Sequence, residues 1–150
     1  MGSGSGRLSP YGHLDTCFAC GAANPRSLGL RLGRAGDEAL GEITFGPETE
    51  GFVGLVHGGA LATILDEVTG SVPPLVQRAR VTAELTIRFR SPVPLGTPIE
   101  ARARVERHTG RGHFVQGWLT RAGTEEHLTE ATARIVELGD IRDAGARPGS

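Results

Sequence analysis

The spacing of apolar positions changes period once along the chain. From Gly59 to Gly70 the apolar residues are Leu61, Ile64, Leu65 and Val68. That is the i, i+3, i+4, i+7 spacing of a helix burying one stripe. Gly70 and then Pro73-Pro74 stop it. Beyond the prolines the period becomes two. Val81, Ala83, Leu85, Ile87 and Phe89 alternate with Thr82, Glu84, Thr86, Arg88 and Arg90, which predicts a long half-buried strand ended by Pro92 and Pro94. Ile99, Ala101, Ala103 and Val105 alternate with Glu100, Arg102, Arg104 and Glu106 in a second strand. His108 to Gly112 reads as a turn, Phe114 to Arg121 as a third strand and Leu128 to Leu138 as a fourth. Consecutive strands joined by short glycine turns are expected to pair as an antiparallel meander. Ahead of the helix, Gly29 to Gly33 and Glu38 to Phe45 are weaker strand candidates, separated by a Gly-Asp turn. Two strands, one helix and four strands make an α+β layout, with the helix covering one face of a curved antiparallel sheet.

Composition narrows the classes. The chain has 150 residues, enough for one domain with one hydrophobic core. It is 38% hydrophobic and 22% charged, which excludes a disordered chain. A net charge of -1 argues against nucleic acid as a partner. No apolar run is long enough to span a membrane, and no secretory signal is visible, so a cytoplasmic location without membrane contact is expected. All 16 basic residues are Arg, which reads as codon bias. Residues 1–12 are expected to be a flexible leader, 13–140 the domain and 141–150 a loose tail.

The stretch Val56-His57-Gly58-Gly59-Ala60 carries the first chemical signal. It enters the helix with no Ser, Thr, Asp or Asn, so the first N–H groups need another acceptor. Two glycines admit a ligand close to the backbone, and the helix dipole adds positive potential. Those are the needs of an oxyanion site. The plain alternative is a tight loop-to-helix turn. Asp66 is the second signal. Gly59, Ala62, Asp66 and Gly70 share a face of small residues around one carboxylate, opposite the apolar stripe. The alternative is a solvated surface Asp. Glu67 is about 100° round the helix and should point elsewhere. Gly58 and Asp66 are eight residues apart, roughly 12 Å along a helix. One carbonyl cannot touch both, so joint action requires two antiparallel helices across a twofold axis.

Weaker signals remain. Cys17 and Cys20 form a CxxC that with His13 could be part of a zinc site, although only three ligands are visible. Structural thiols are the preferred reading over metal or redox chemistry. Trp118 is expected in the core. His108, His113 and His127 are expected in solvated turn or strand-edge settings.

From about Gly51 to Leu138 the chain resembles the hotdog-fold acyl-CoA thioesterase superfamily, in particular the phenylacetate-pathway thioesterase-like and 4-hydroxybenzoyl-CoA thioesterase-like branch. The residues that carry the resemblance are Gly51-Phe52-Val53, Val56-His57-Gly58-Gly59-Ala60, Asp66 nine residues after His57, Val81-Thr82-Ala83-Glu84-Leu85, Phe89-Arg90-Ser91-Pro92-Val93-Pro94-Leu95-Gly96 and Gly110-Arg111. Cys17-Phe18-Ala19-Cys20-Gly21, with Asn24-Pro25 and Leu28-Gly29-Leu30, resembles the leader of a bacterial subgroup.

The resemblance implies a hotdog sheet wrapped round a central helix. It also implies a homodimer or dimer of dimers with the site at the dimer interface, and hydrolysis of acyl-CoA to free acid and CoA without a metal or other cofactor. It implies Asp66 as general base or nucleophile, the Gly58 N–H on the thioester carbonyl, His57 shaping the loop and Thr82 positioning the water. Gly59, Arg88, Arg90, Gly110 and Arg111 are the candidates for substrate and CoA contact; for the two strand arginines the alternative is a solvated face. Some relatives carry Asn where Gly51 stands. That departure keeps a second reading open, a non-catalytic binder of acyl-CoA or an aromatic ligand on the same fold. A hotdog dehydratase ranks last, because the carboxylate follows His57 in the thioesterase register.

Overall fold

The computed structural model describes residues 7–110 and 112–140. Residues 1–6 of the expected leader, the expected tail 141–150 and Arg111 lie outside the described residues. The strands are β1 (Arg31–Ala35), β2 (Glu38–Thr44), β3 (Arg78–Phe89), β4 (Pro98–Thr109), β5 (Gly112–Arg121) and β6 (His127–Asp140), and the helix α1 spans Gly58–Thr69. Short 3-10 turns at Pro47–Thr49 and Pro73–Leu75 flank the helical region. All six strands form one antiparallel sheet in the order β1-β2-β4-β5-β6-β3. Helix α1 packs against β2, β3, β4, β5 and β6, the arrangement expected from the element order.

The expected meander holds for β4, β5 and β6 but not for β3. Strand β3 pairs with β6, and β4 pairs with β2. The reason lies in the segment after Phe89. Pro92 and Pro94 cannot donate to a ladder and bar a tight hairpin. The segment runs instead beside the helix entry, where Val93 O accepts from Val56 N at 2.9 Å and Leu95 N donates to Gly54 O at 3.0 Å. Strand β3 is thereby left at one edge of the sheet and β1 at the other.

The helix stripe is the core. Ile64, Leu65 and Val68 are fully buried, against Ile99, Ala101, Val115, Leu119, Ala133 and Ile135 of the sheet. Truncating Leu65 to Ala at such a site costs about 2–5 kcal/mol. A glycine faces the helix where it comes closest: a Cβ on Gly117 would lie 2.8 Å from Thr69 Cγ2.

The sequence alternation of β3 is broken by a bulge. The register slips between Thr82↔Ile135 and Glu84↔Arg134, leaving Ala83 unpaired. Residues paired across strands share a face. Leu85 and Ile87 therefore face the helix side with Ala133 and Ala131, as the alternation predicts, but Val81 does not. Across the bulge the phase inverts, and Thr82 takes the inner position beside Ile135.

Three further expectations change. Of the leader, residues 7–12 are tied down: Leu8 bridges Leu14, and Arg80 Nη2 donates to Tyr11 O at 3.0 Å. Trp118 lies half-buried on the outer face of the sheet, opposite Glu130 and stacked on His127, rather than in the core. His113 is buried and sits 3.4 Å from Glu137, because its inward position pairs with Ile135.

Candidate active site

The entry to α1 is capped after all. His57 takes the N-cap position, and its Nδ1 accepts from Gly59 N at 2.8 Å. In the neutral ring the proton then sits on Nε2. Ala60 N and Leu61 N both reach His57 O. The Gly58 N–H is left with no acceptor among the described residues. It is the one donor of the first turn still available to a ligand, at the positive end of the helix dipole.

Gly58 opens on an apolar hollow of about 480 Å³ lined by Phe52, Leu55, Leu61, Phe89 and Val93, with His57 and Arg90 at its polar side. That volume is in the range of small-molecule sites. Gly51 forms part of the same wall. A Cβ there would lie 2.8 Å from His57 Cα and 3.0 Å from His57 Cβ. The backbone of the loop thus presses directly on the capping residue, and no side chain fits between them.

Asp66 is exposed on the third turn of α1. Its Oδ1 accepts from Thr82 Oγ1 at 2.6 Å. The hydroxyl assigned by resemblance to a water donates to the carboxylate itself, and its lone pairs remain to accept from a water. Only the bulge at Ala83 lets Thr82 reach inward. Asp66 Oδ2 has no hydrogen-bond partner among the described residues.

The structure brings some predicted residues together and separates others. Gly58, His57, Gly59 and Arg90 cluster at the entry end of the helix. Asp66 and Thr82 lie about 12 Å further along α1. Arg90 is half-exposed and its Nε pairs with Glu130 Oε2 at 2.9 Å. Hydrogen bonding from His127, and then the charge of Arg90, hold the Glu130 carboxyl below the usual range. Arg88 sits on the outer face, around a hollow shared with Trp118, His127 and Glu130. Gly110 lies in the β4–β5 turn at the end of the sheet where Thr82 is, since Thr82, Ile135 and His113 are in register. Within one chain, Arg90 and Gly110 are therefore at opposite ends of the sheet.

Glu67 was expected only to point away from Asp66. It is buried at 8% exposure, beside His13 and Cys17. A carboxylate one position from the apolar stripe was the available signal. Burial opposes its ionisation, but the contacts of His13 and Cys17 and the charge of Arg80 outweigh that and hold it below the usual carboxylate range. Burial pushes both thiols up, and the Glu67 carboxylate adds to the rise in each. Both cysteines are free thiols.

The comparisons with known proteins bear on the fold and the family. Residues 53–127 match the family model described as the thioesterase superfamily. The acyl-coenzyme A thioesterase THEM4 of Xenopus laevis is 34% identical over 93 residues, covering 62% of this chain and 42% of that protein. The chain thus spans about two-fifths of the length of that curated relative. The crystal structure of protein RHA08564, a thioesterase superfamily protein, superposes with a TM-score of 0.77 at 24% identity, covering 90% of this chain and 68% of that one. The structure of smu.793 from Streptococcus mutans UA159 bound to acetyl CoA superposes with a TM-score of 0.67 at 17% identity, covering 74% of this chain and 90% of that one. The matched span holds the helix entry, Asp66, Thr82 and four of the six strands in whole or part, and the chain belongs to the thioesterase superfamily.

Proposed function

We propose that the chain is an acyl-CoA thioesterase acting as a homodimer, with Asp66 of one protomer and the Gly58 N–H of the other working on the same thioester carbonyl. The observation that carries this is the pairing of Thr82 with an exposed Asp66 on a helix whose Gly58 N–H is unused. A thioester is already reactive, so one oriented carboxylate and one oxyanion donor are sufficient machinery. Asp66 Oδ2 either takes a proton from the attacking water or attacks the carbonyl carbon itself. The negative charge that develops on the carbonyl oxygen is met by the Gly58 N–H. The thiolate of CoA leaves.

Separation along the helix requires the second protomer, and the surface has room for it. Strand β3 ends the sheet with an open edge, and Val81 and Phe89 on it are 47% and 54% exposed. An open edge strand with apolar side chains is a pairing surface. Twofold pairing there would set two helices antiparallel and complete two sites. The apolar hollow suits an acyl or aroyl group, and Arg90 at its margin suits a phosphate of CoA. The acyl-coenzyme A thioesterase name of the Xenopus relative and the acetyl CoA bound to the Streptococcus neighbour support that substrate class.

The test is thiol release from short, long and aromatic acyl-CoAs by the parent chain and by Asp66→Asn. Turnover by the parent, cut about 10²–10⁴-fold in the variant with the dimer intact, is the expected result. A parent that binds acyl-CoA but releases no thiol would instead mark a binding protein, the reading that Gly51 keeps in view.

A further inference from the structure

We propose that His13, Cys17, Cys20 and Glu67 form a tetrahedral zinc site that clasps the N-terminal segment to the back of helix α1. This site lies outside the thioesterase machinery and does not rest on that reading.

The four side chains each offer one ligand atom, and those atoms all lie within 4.8 Å of one another. A tetrahedral zinc with bonds of about 2.0–2.3 Å separates its ligand atoms by about 3.3–3.8 Å. The sequence shows three of these donors close together. The fold supplies the fourth from 47 positions beyond Cys20, on the helix. Glu67 receives Cys17 Sγ at 2.9 Å on Oε2 and faces His13 Nδ1 at 2.5 Å on Oε1.

The CxxC turn is shaped for sulfur ligands. Gly21 N donates to Cys17 O at 2.8 Å, closing the turn that carries both sulfurs. The turn is closed so tightly that a Cβ on Gly21 would lie 2.3 Å from Cys17 N and 2.4 Å from Asp15 O.

The hydrogen bonds around His13 leave one nitrogen to be accounted for. Ser71 Oγ spends its only proton on Glu67 O, at 2.6 Å. The contact of 2.8 Å between Ser71 Oγ and His13 Nε2 must then be donated by the ring. In the neutral ring that puts the bare lone pair of Nδ1 opposite a carboxylate oxygen. Glu67 Oε1 is correspondingly buried, and His13 Nδ1 is the atom it faces. A proton shared between the two atoms or a metal ion bound to both holds such a pair, and the two sulfurs beside it suit the metal. A metal-bound histidine holds its far N–H on a fixed acceptor, and Ser71 Oγ stands where that acceptor is needed.

The charges close. Zinc(II) displaces the two thiol protons, which leave to solvent. Two thiolates and one carboxylate against the ion leave one negative charge. Arg80, fixed by bonds to Gly70 O, Arg78 O and Tyr11 O, supplies one positive charge beside it. Two sulfurs, one imidazole and one carboxylate in a half-buried set favour zinc over the oxygen-seeking calcium and magnesium.

The test is metal analysis of the 150-residue chain purified from zinc-supplemented cells without chelators. About one zinc per chain is expected. Cobalt(II) in its place should give thiolate-to-cobalt charge-transfer bands and tetrahedral visible bands. The double variant Cys17→Ser/Cys20→Ser should lose the metal, and Ser71→Ala should weaken it about 10–100-fold in competition with a chromogenic chelator. A chain that takes up no zinc, or a double variant that keeps it undiminished, overturns the proposal. Should the double variant fail to fold, the cobalt spectrum of the unaltered chain decides, and the absence of thiolate bands overturns it equally.

Discussion

Thr82 on strand β3 donates its hydroxyl proton to Asp66 Oδ1 at 2.6 Å, joining the edge of the sheet to the third turn of the helix. The bond fixes which carboxylate oxygen is free and in which direction it points. Thr82→Val keeps the shape and removes the donor. We expect kcat on acyl-CoA to fall about tenfold, the effect of one hydrogen bond to a charged group, with KM little changed. Thr82→Ser should restore most of it. Steady-state thiol release checks this, and an unaltered kcat in the valine variant would remove Thr82 from the mechanism.

Gly58→Pro deletes a single donor. Proline is at home at the first position of a helix, and His57 at φ -59 and ψ 134 already has the extended backbone that must precede it. A Cβ at Gly58 meets only the Phe89 ring, at 3.5 Å. Stability should hold or rise by about 0.4–1 kcal/mol, since the unfolded chain loses freedom. Activity should drop about 10²–10³-fold if this N–H is the oxyanion donor. Thermal melting and thiol release on the same sample separate the two effects.

Sharing between protomers can be tested with two inactive variants. Asp66→Ala and Gly58→Pro each spoil both sites of a homodimer. After unfolding together in equal amounts and refolding, half of the dimers are mixed, and each mixed dimer has one site with both groups intact. Recovery of about a quarter of parental activity is expected from that symmetry. If each site belonged to one chain, mixing would recover nothing.

The cap has its own signature. His57→Ala leaves the Gly59 N–H without its acceptor and should cost about 1 kcal/mol in denaturant unfolding. His57→Asn should return most of that stability. A variant as stable as the parent would show that the side chain contributes nothing to the helix entry.

Much of this was legible in the sequence because it is local. The stripe Leu61, Ile64, Leu65, Val68 placed α1 within one residue of its observed start and end. Alternation located β4, β5 and β6. What escaped was long-range or subtle. Nothing in the period of β3 says that its partner is β6 rather than β4; that depends on the path of the proline-bearing segment around the helix entry. The bulge was hidden because Val81 and Ala83 are both apolar and so complete the pattern on paper. The histidine cap was missed because His57 is not among the usual capping residues. Glu67 was read only by its angle to Asp66, because its partners come from the first two dozen residues of the chain.

The bulge also bears on how the chain could change over time. Removing Ala83 would make β3 regular and leave Leu85, Ile87 and Phe89 where they are. It would also leave Thr82 opposite Ile135 on the inner face, because the deletion removes the extra residue and keeps the phase on either side of it. A descendant one residue shorter at this point would thus keep its hydroxyl aimed at the carboxylate, whereas one residue added to β6 between Arg134 and Ile135 would pair Ala83 and turn Thr82 outward.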